Sequence, residues 1–266
     1  EFLKTLGNQA MTSLENAQLF DEMLEKQRLE EELNLARNIQ QNLLPSQLPQ
    51  PPGYEIAAIN IPSKHVGGDY YDIIPIRENQ YGVSIADVSG KGAGAALLMA
   101  NLQASLQALA SSGMEIKEMI ERINNLIYRN TAMDKYITFF YGILDTGEHS
   151  FTYCNAGHNP PYKMNSHGKS MELMTGGIVL GMMPDMTFET SQIRLKPNDR
   201  IVFFTDGITE SMNEKEEEFG EIRVKQLMQK HDKSSAEELM KNIVNETKRF
   251  RGKGPQTDDI TLLIVK

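Results

Sequence analysis

The chain has 266 residues, 40% hydrophobic and 24% charged, an ordinary globular composition with length for one large core or two smaller ones. Its net charge of -9 argues against a broad nucleic-acid footprint, because such surfaces are basic. A single cysteine, Cys154, excludes an internal disulfide and a zinc site built from several cysteines, and it fits a reducing cytoplasm, where the protein is expected to reside.

The N-terminus lacks a basic segment followed by an apolar one, so no signal peptide is predicted. No apolar stretch approaches the roughly 18 residues that cross a bilayer. The chain starts abruptly inside a helical pattern and reads as a piece of a longer protein. Residues 3–44 predict one helix, with no proline and only Gly7 as a breaker. Leu3, Ala10, Ala17 and Leu24 repeat every seven residues, with Leu6, Ser13 and Phe20 between them. After Leu24 the phase shifts to Leu29, Ala36 and Leu43, with Leu33 beside them. This seam predicts a regulatory, dimerising coiled-coil helix over residues 1–44. Pro45, Pro49, Pro51 and Pro52 then stop the helix and predict an extended linker, with a second domain over residues 45–266.

Beyond the prolines, apolar runs alternate with turn signals. Strands are predicted over 54–61, 69–76 and 81–88, then helices over 93–112 and 114–132. A hairpin around Thr146-Gly147 joins 138–145 to 149–157. Strands over 190–196 and 200–206, helices near 219–230 and 235–250, and a last strand over 259–265 complete the chain. Short turns between adjacent strands argue for antiparallel sheets, and paired helices argue for an α+β layered fold.

Four aspartates fall at strand ends: Asp69 in VGGDYYD, Asp87 in VSIADVSGKG, Asp206 in IVFFTDG and Asp258 in QTDDITLLIV. Antiparallel order sets the end of one strand beside the start of its neighbour, so all four carboxylates can meet. Taken singly, each also reads as a turn or cap residue. Together they would repel strongly, and hard divalent cations with oxygen ligands, Mg²⁺ or Mn²⁺, resolve that repulsion. Gly67, Gly68, Gly90 and Gly207 would give the backbone close approach and unusual φ values there.

The motifs GGDYYD, ADVSGKG, AGHNPP, FFTDGITE and DDITLL, in that order, resemble the SpoIIE/RsbU-like branch of the bacterial PPM metal-dependent protein phosphatases, over about residues 36 to 266. The resemblance implies a four-layer α-β-β-α sandwich of two antiparallel sheets and a site with two divalent cations, Mn²⁺ or Mg²⁺. It implies that Asp69 and Asp87 bridge the metals, that the Val88 carbonyl adds a ligand, and that Asp206 and Asp258 complete the set. Asp258 is preferred to Asp259 because the motif places the ligand first in the pair. Hydrolysis of a serine or threonine phosphomonoester by a metal-activated water follows. The implied substrate is a phosphorylated STAS-type anti-sigma-factor antagonist, and an upstream sensor domain would act through the leading helix. His158 is read as a substrate-side or structural residue, Lys91 as pointing to solvent, and Cys154 as core. The loop over 213–218 is more acidic than the family pattern and lacks its glycine.

Rival readings fail in detail. A P-loop needs glycine at position 85 and Ser or Thr at 92, where this chain has Ile85 and Gly92. The dinucleotide fingerprint needs glycine at 95, where Ala95 stands. Tyr70-Tyr71 breaks the likeness of GGDYYD to the nucleotide cyclases. The remaining alternative is a non-catalytic signalling module with the same fold, which loss of one metal aspartate would favour.

Overall fold

The computed structural model describes residues 1–131 and 135–266, and within the first helix it leaves out the side chains of Leu3, Thr5, Leu6, Ala10 and Thr12. The seam positions Leu3, Leu6 and Ala10, and Ala132 at the end of a predicted helix, therefore lie outside the described residues. The chain divides into two compact units, Glu1–Gln41 and Asn42–Lys266.

The first unit is one 40-residue helix, α1 (Phe2–Gln41), which ends three residues before the predicted stop. Pairs at i,i+4, Lys26 with Glu30 and Arg28 with Glu32, line its surface and contribute a few tenths of a kcal/mol each. The described seam residues Phe20, Leu24 and Leu29 are exposed along it.

The second unit runs β1 (Ile56–Ile61), β2 (Tyr70–Arg77), β3 (Gln80–Val88), α2 (Ala93–Ala110), α3 (Ile116–Asn130), β4 (Ile137–Asp145), β5 (Ser150–Ala156), β6 (Tyr162–Met164), β7 (Ser170–Glu172), β8 (Gly176–Gly177), β9 (Ser191–Arg194), β10 (Arg200–Phe204), the single turn α4 (Asp206–Thr209), α5 (Gly220–Lys230), α6 (Ala236–Arg251) and β11 (Ile260–Val265). One sheet has the order β1-β11-β10-β6-β7, and the other β2-β3-β4-β5-β8 with β9 also on β5. Pairing is antiparallel except at β5–β8, where two residues pair in parallel.

Three apolar layers explain the sequence patterns. Side chains alternate along a strand, so β10 sends Ile201 and Phe203 between the sheets and Val202 and Phe204 toward α5 and α6. Both faces are covered, and the run reads as continuously apolar. Sheet β2-β3-β4-β5 sends Phe140 and Phe151 from its inner face against Phe203 of β10, and its outer face meets α2 and α3. The result is the expected four-layer α-β-β-α sandwich.

Two readings need correction. By length and composition α2 does reach the threshold for crossing a membrane. Its Ala95, Leu98, Met99, Leu102 and Leu106 are nevertheless buried against the sheet, so within this structure it is a core helix. The proline-rich stretch is also more than a linker. Leu44, Leu48 and Tyr54 pack on the cores, and Gln50 bonds both the N–H and the carbonyl of Ile56. Proline restricts φ without preventing burial of the residues between.

Candidate metal centre

The β2–β3 register, Tyr70 opposite Ala86, sets Asp69 beside Asp87 at the open end of that hairpin. In the other sheet, Phe204 lies opposite Leu262, so Thr205 faces Thr261 and the flanking Asp206 and Asp258 come to the same end. The two halves are joined by hydrogen bonds. Thr205 Oγ1 donates to Asp69 Oδ2 at 2.7 Å, and Thr261 Oγ1 donates to the same oxygen at 2.6 Å. Asp69 is 3% exposed and forms the floor of the site. The Val88 carbonyl also belongs here, since a Cβ on Gly68 would stand 3.0 Å from its oxygen.

Asp258 and Asp259 divide the labour. Asp259 is buried and accepts from the Ser63 N–H, the Ser63 hydroxyl and the Gly68 N–H at 2.7–2.9 Å, so it shapes the loop before Asp69. Asp258 stands at the rim, where its Oδ2 meets Lys91 Nζ at 2.7 Å. That pairing corrects the reading of Lys91: the amine does not point to solvent but binds Asp258 and the Thr257 carbonyl. The glycines also differ from expectation. Gly90 has φ of +93°, whereas Gly67, Gly68 and Gly207 do not lie in the left-handed region and are required for room.

Electrostatics show the crowding. Burial, and then the Asp87 charge beside it, hold Asp69 well above the usual carboxylate range. Burial, then Asp206 and Asp258, push Asp87 up to about 7. Burial, then Glu210 and Asp258, push Asp206 up to about 6. Hydrogen bonding to Asp258 raises Lys91. Among the described residues, no three His, Cys, Asp or Glu side chains stand as a ready-made cage around one point. Asp258 is drawn to Lys91, and Asp69 commits one oxygen to the two threonines. The donor set still fits hard divalent cations. It offers only carboxylate and carbonyl oxygens, in a half-dry place where negative charges crowd together, and cations relieve that repulsion.

His158 is buried behind Thr138, the residue that pairs with Asp87 across β3 and β4. It is 3% exposed, its Nδ1 sits 2.9 Å from Thr138 Oγ1, and Asn155 holds its backbone N–H and carbonyl. Burial lowers it to about 4, so at neutral pH the ring carries no proton to donate as imidazolium. The structure thus gives His158 a packing role between strands. Cys154 is buried in the core under α2 and α3, and burial pushes its thiol up to about 12. Thiolate chemistry is closed to it. Treatment of the folded protein with N-ethylmaleimide is therefore expected to leave Cys154 unlabelled, and rapid labelling without unfolding, seen by mass spectrometry, would contradict this.

Three residues of the site carry no strong signal in the sequence. Thr205 and Thr261 sit in strand runs where threonine is an ordinary β-former. Glu210 lies four residues past Asp206, one helical turn on, which is the signal that could have found it.

Comparison with known proteins identifies the family and the fold. The family model for Stage II sporulation protein E (SpoIIE) matches residues 77–266. Phosphoserine phosphatase RsbU of Bacillus subtilis is 31% identical over 245 residues, covering 91% of this chain and 71% of RsbU. The SiaA-PP2C domain of Pseudomonas aeruginosa superposes with a TM-score of 0.78 at 19% identity, over 90% of this chain and 97% of that domain. RsbX, solved in complex with magnesium, gives a TM-score of 0.63 at 17% identity, covering 82% of this chain and 98% of RsbX. With the family match spanning most of the second unit, and the sandwich and its carboxylate end in place, the chain belongs to the SpoIIE family of PP2C-fold phosphatases.

Proposed function

We propose that the chain is a metal-dependent phosphoserine/phosphothreonine protein phosphatase of bacterial signalling, using two divalent cations, Mn²⁺ or Mg²⁺. The observation that carries this reading is the gathering of Asp69, Asp87 and Asp206, all raised by burial and by neighbouring carboxylates, at one end of a PP2C-type sandwich with Asp258 at its rim. Asp69, Asp87, the Val88 carbonyl, Asp206 and Asp258 would hold the cations. When bound, these supply Lewis-acid chemistry, acidifying water and offsetting phosphoryl charge.

The residues of the chain set the geometry of approach. Asp69 is at the floor, while the side chains of Lys91 and Asp258 are 39% and 35% exposed, so a phosphoryl group comes in from their side. His158, buried against Thr138, has a structural role in this reading. The alternative of a non-catalytic module loses weight because all four aspartates are present. The test is a panel of phosphoproteins with and without chelator: release of phosphate that stops with EDTA and returns with Mn²⁺ is expected, and hydrolysis that survives EDTA would overturn the reading.

The finer parts of the proposal are a phosphorylated STAS-type substrate, a cytoplasmic location, a homodimer through α1 and control by an upstream sensor. RsbU, a phosphoserine phosphatase by name, supports the substrate class. For α1, the support is the shifted heptad and the exposed Leu14, Leu19, Phe20, Met23 and Leu24. A chain beginning at Asn42 is expected to be monomeric and altered in turnover. Equal mass and equal turnover for the long and short chains, by light scattering and phosphate release, would remove the regulatory role of α1.

A further inference from the structure

The two threonines that reach Asp69 form a network whose direction is fixed. Thr205 Oγ1 accepts from the Thr261 N–H at 3.0 Å, and Thr261 Oγ1 accepts from Asn60 Nδ2 at 2.8 Å. A hydroxyl has one proton to give. With each hydroxyl already receiving a hydrogen bond, both protons go to Asp69 Oδ2, at 2.7 and 2.6 Å. Thr205 and Thr261 are both fully buried, so no water competes for these bonds. Asp69 belongs to the β2 side of the sandwich, whereas Asn60, Thr205 and Thr261 come from β1, from just past β10 and from β11. The network therefore spans the joint between the sheets at the carboxylate end.

Two consequences follow for Asp69. Its Oδ2 already accepts from two hydroxyl donors. Its Oδ1 is the oxygen that neither threonine holds, and the Asp87 carboxyl is its neighbour.

We propose that Thr205 and Thr261 are positioning residues for the metal centre: by clamping Oδ2 they fix the Asp69 carboxyl across the sheet joint and leave Oδ1 to meet a cation. This deepens the phosphatase reading and rests on it. Partners that orient a ligand are worth about 10- to 100-fold in metal affinity.

Thr261 is the residue to change, because Thr261→Val removes one clamp bond while its own N–H keeps Thr205 as acceptor and the part-buried Asn60 amide can turn to solvent. Mn²⁺ affinity of the full chain is measured by titration calorimetry, with thermal melting in EDTA alongside. Thr261→Val is expected to weaken Mn²⁺ binding at least about tenfold with the EDTA melting curve little changed, and Thr261→Ser to bind within about threefold of the parent. If the valine variant does not fold, Thr261→Cys replaces it, keeping the shape with only a weak S–H donor. Valine or cysteine variants that bind Mn²⁺ like the parent, or a serine variant as weak as valine, would overturn the clamp. A parent chain that binds no Mn²⁺ would instead overturn the metal reading itself.

Discussion

Asp206→Asn is expected to lower Mn²⁺-dependent hydrolysis of an aryl phosphate by at least about a hundredfold, close to 2.7 kcal/mol in the barrier, while leaving the fold intact. The side chain stands at the first position of α4, two residues past the end of β10, half-buried near Asp258 and Glu210. Asparagine keeps the shape and leaves the backbone bonds from Glu210 and the Thr209 hydroxyl to the residue 206 carbonyl. What goes is one negative charge in a cluster whose members raise one another. Removing it relieves repulsion, so melting in EDTA is expected to stay the same or rise slightly. The loss falls on cation binding and turnover. An Asp206→Asn variant with full kcat and unchanged Mn²⁺ dependence would take Asp206 out of the mechanism.

The second large effect concerns the neighbouring glycine. Gly207→Ala is expected to abolish measurable turnover and to lower the melting temperature by at least about 6 °C, from a destabilisation of about 3 kcal/mol. A Cβ at position 207 would stand 1.9 Å from the Asp259 carbonyl oxygen. The opposing group is backbone in β11's approach, so no side-chain rotation relieves it. The corner carrying Asp206 must move off the segment carrying Asp258 and Asp259, and the site opens along the joint that the threonine hydroxyls hold closed. Differential scanning calorimetry and phosphate release check both parts. An alanine variant melting and turning over like the parent would mean that this close approach is dispensable.

The strands that carry the carboxylates were legible because their environment is extreme. Ile201–Phe204 and the run after Asp259 are covered on both faces, so burial wrote itself into unbroken apolar sequence, and a charge at the end of such a run stood out. The strands β6, β7 and β8 were not legible. They are three, three and two residues long, and they exist because a sheet edge pairs them, which no local pattern announces. The same holds within the site. Asp69, Asp87, Asp206 and Asp258 could be found from strand ends, but the clamp needed the register of β10 against β11 and the contact between sheets. Lys91 looked like a solvent-facing lysine in a glycine-rich turn, and its partner is 167 positions away at Asp258. Asp72, in the same GGDYYD motif, shows the opposite case. It is buried beneath α2, bonded to Tyr70 and Gln107, and ties the helix to the sheet rather than joining the centre.

The most direct test of the central claim is anomalous diffraction from crystals of this chain soaked in Mn²⁺. Two manganese peaks are predicted at the carboxylate end, ligated by Asp69, Asp87, the Val88 carbonyl, Asp206 and Asp258, with Asp258 released from Lys91. Manganese peaks elsewhere on the molecule, or none at that end while phosphatase activity persists in EDTA, would contradict the account.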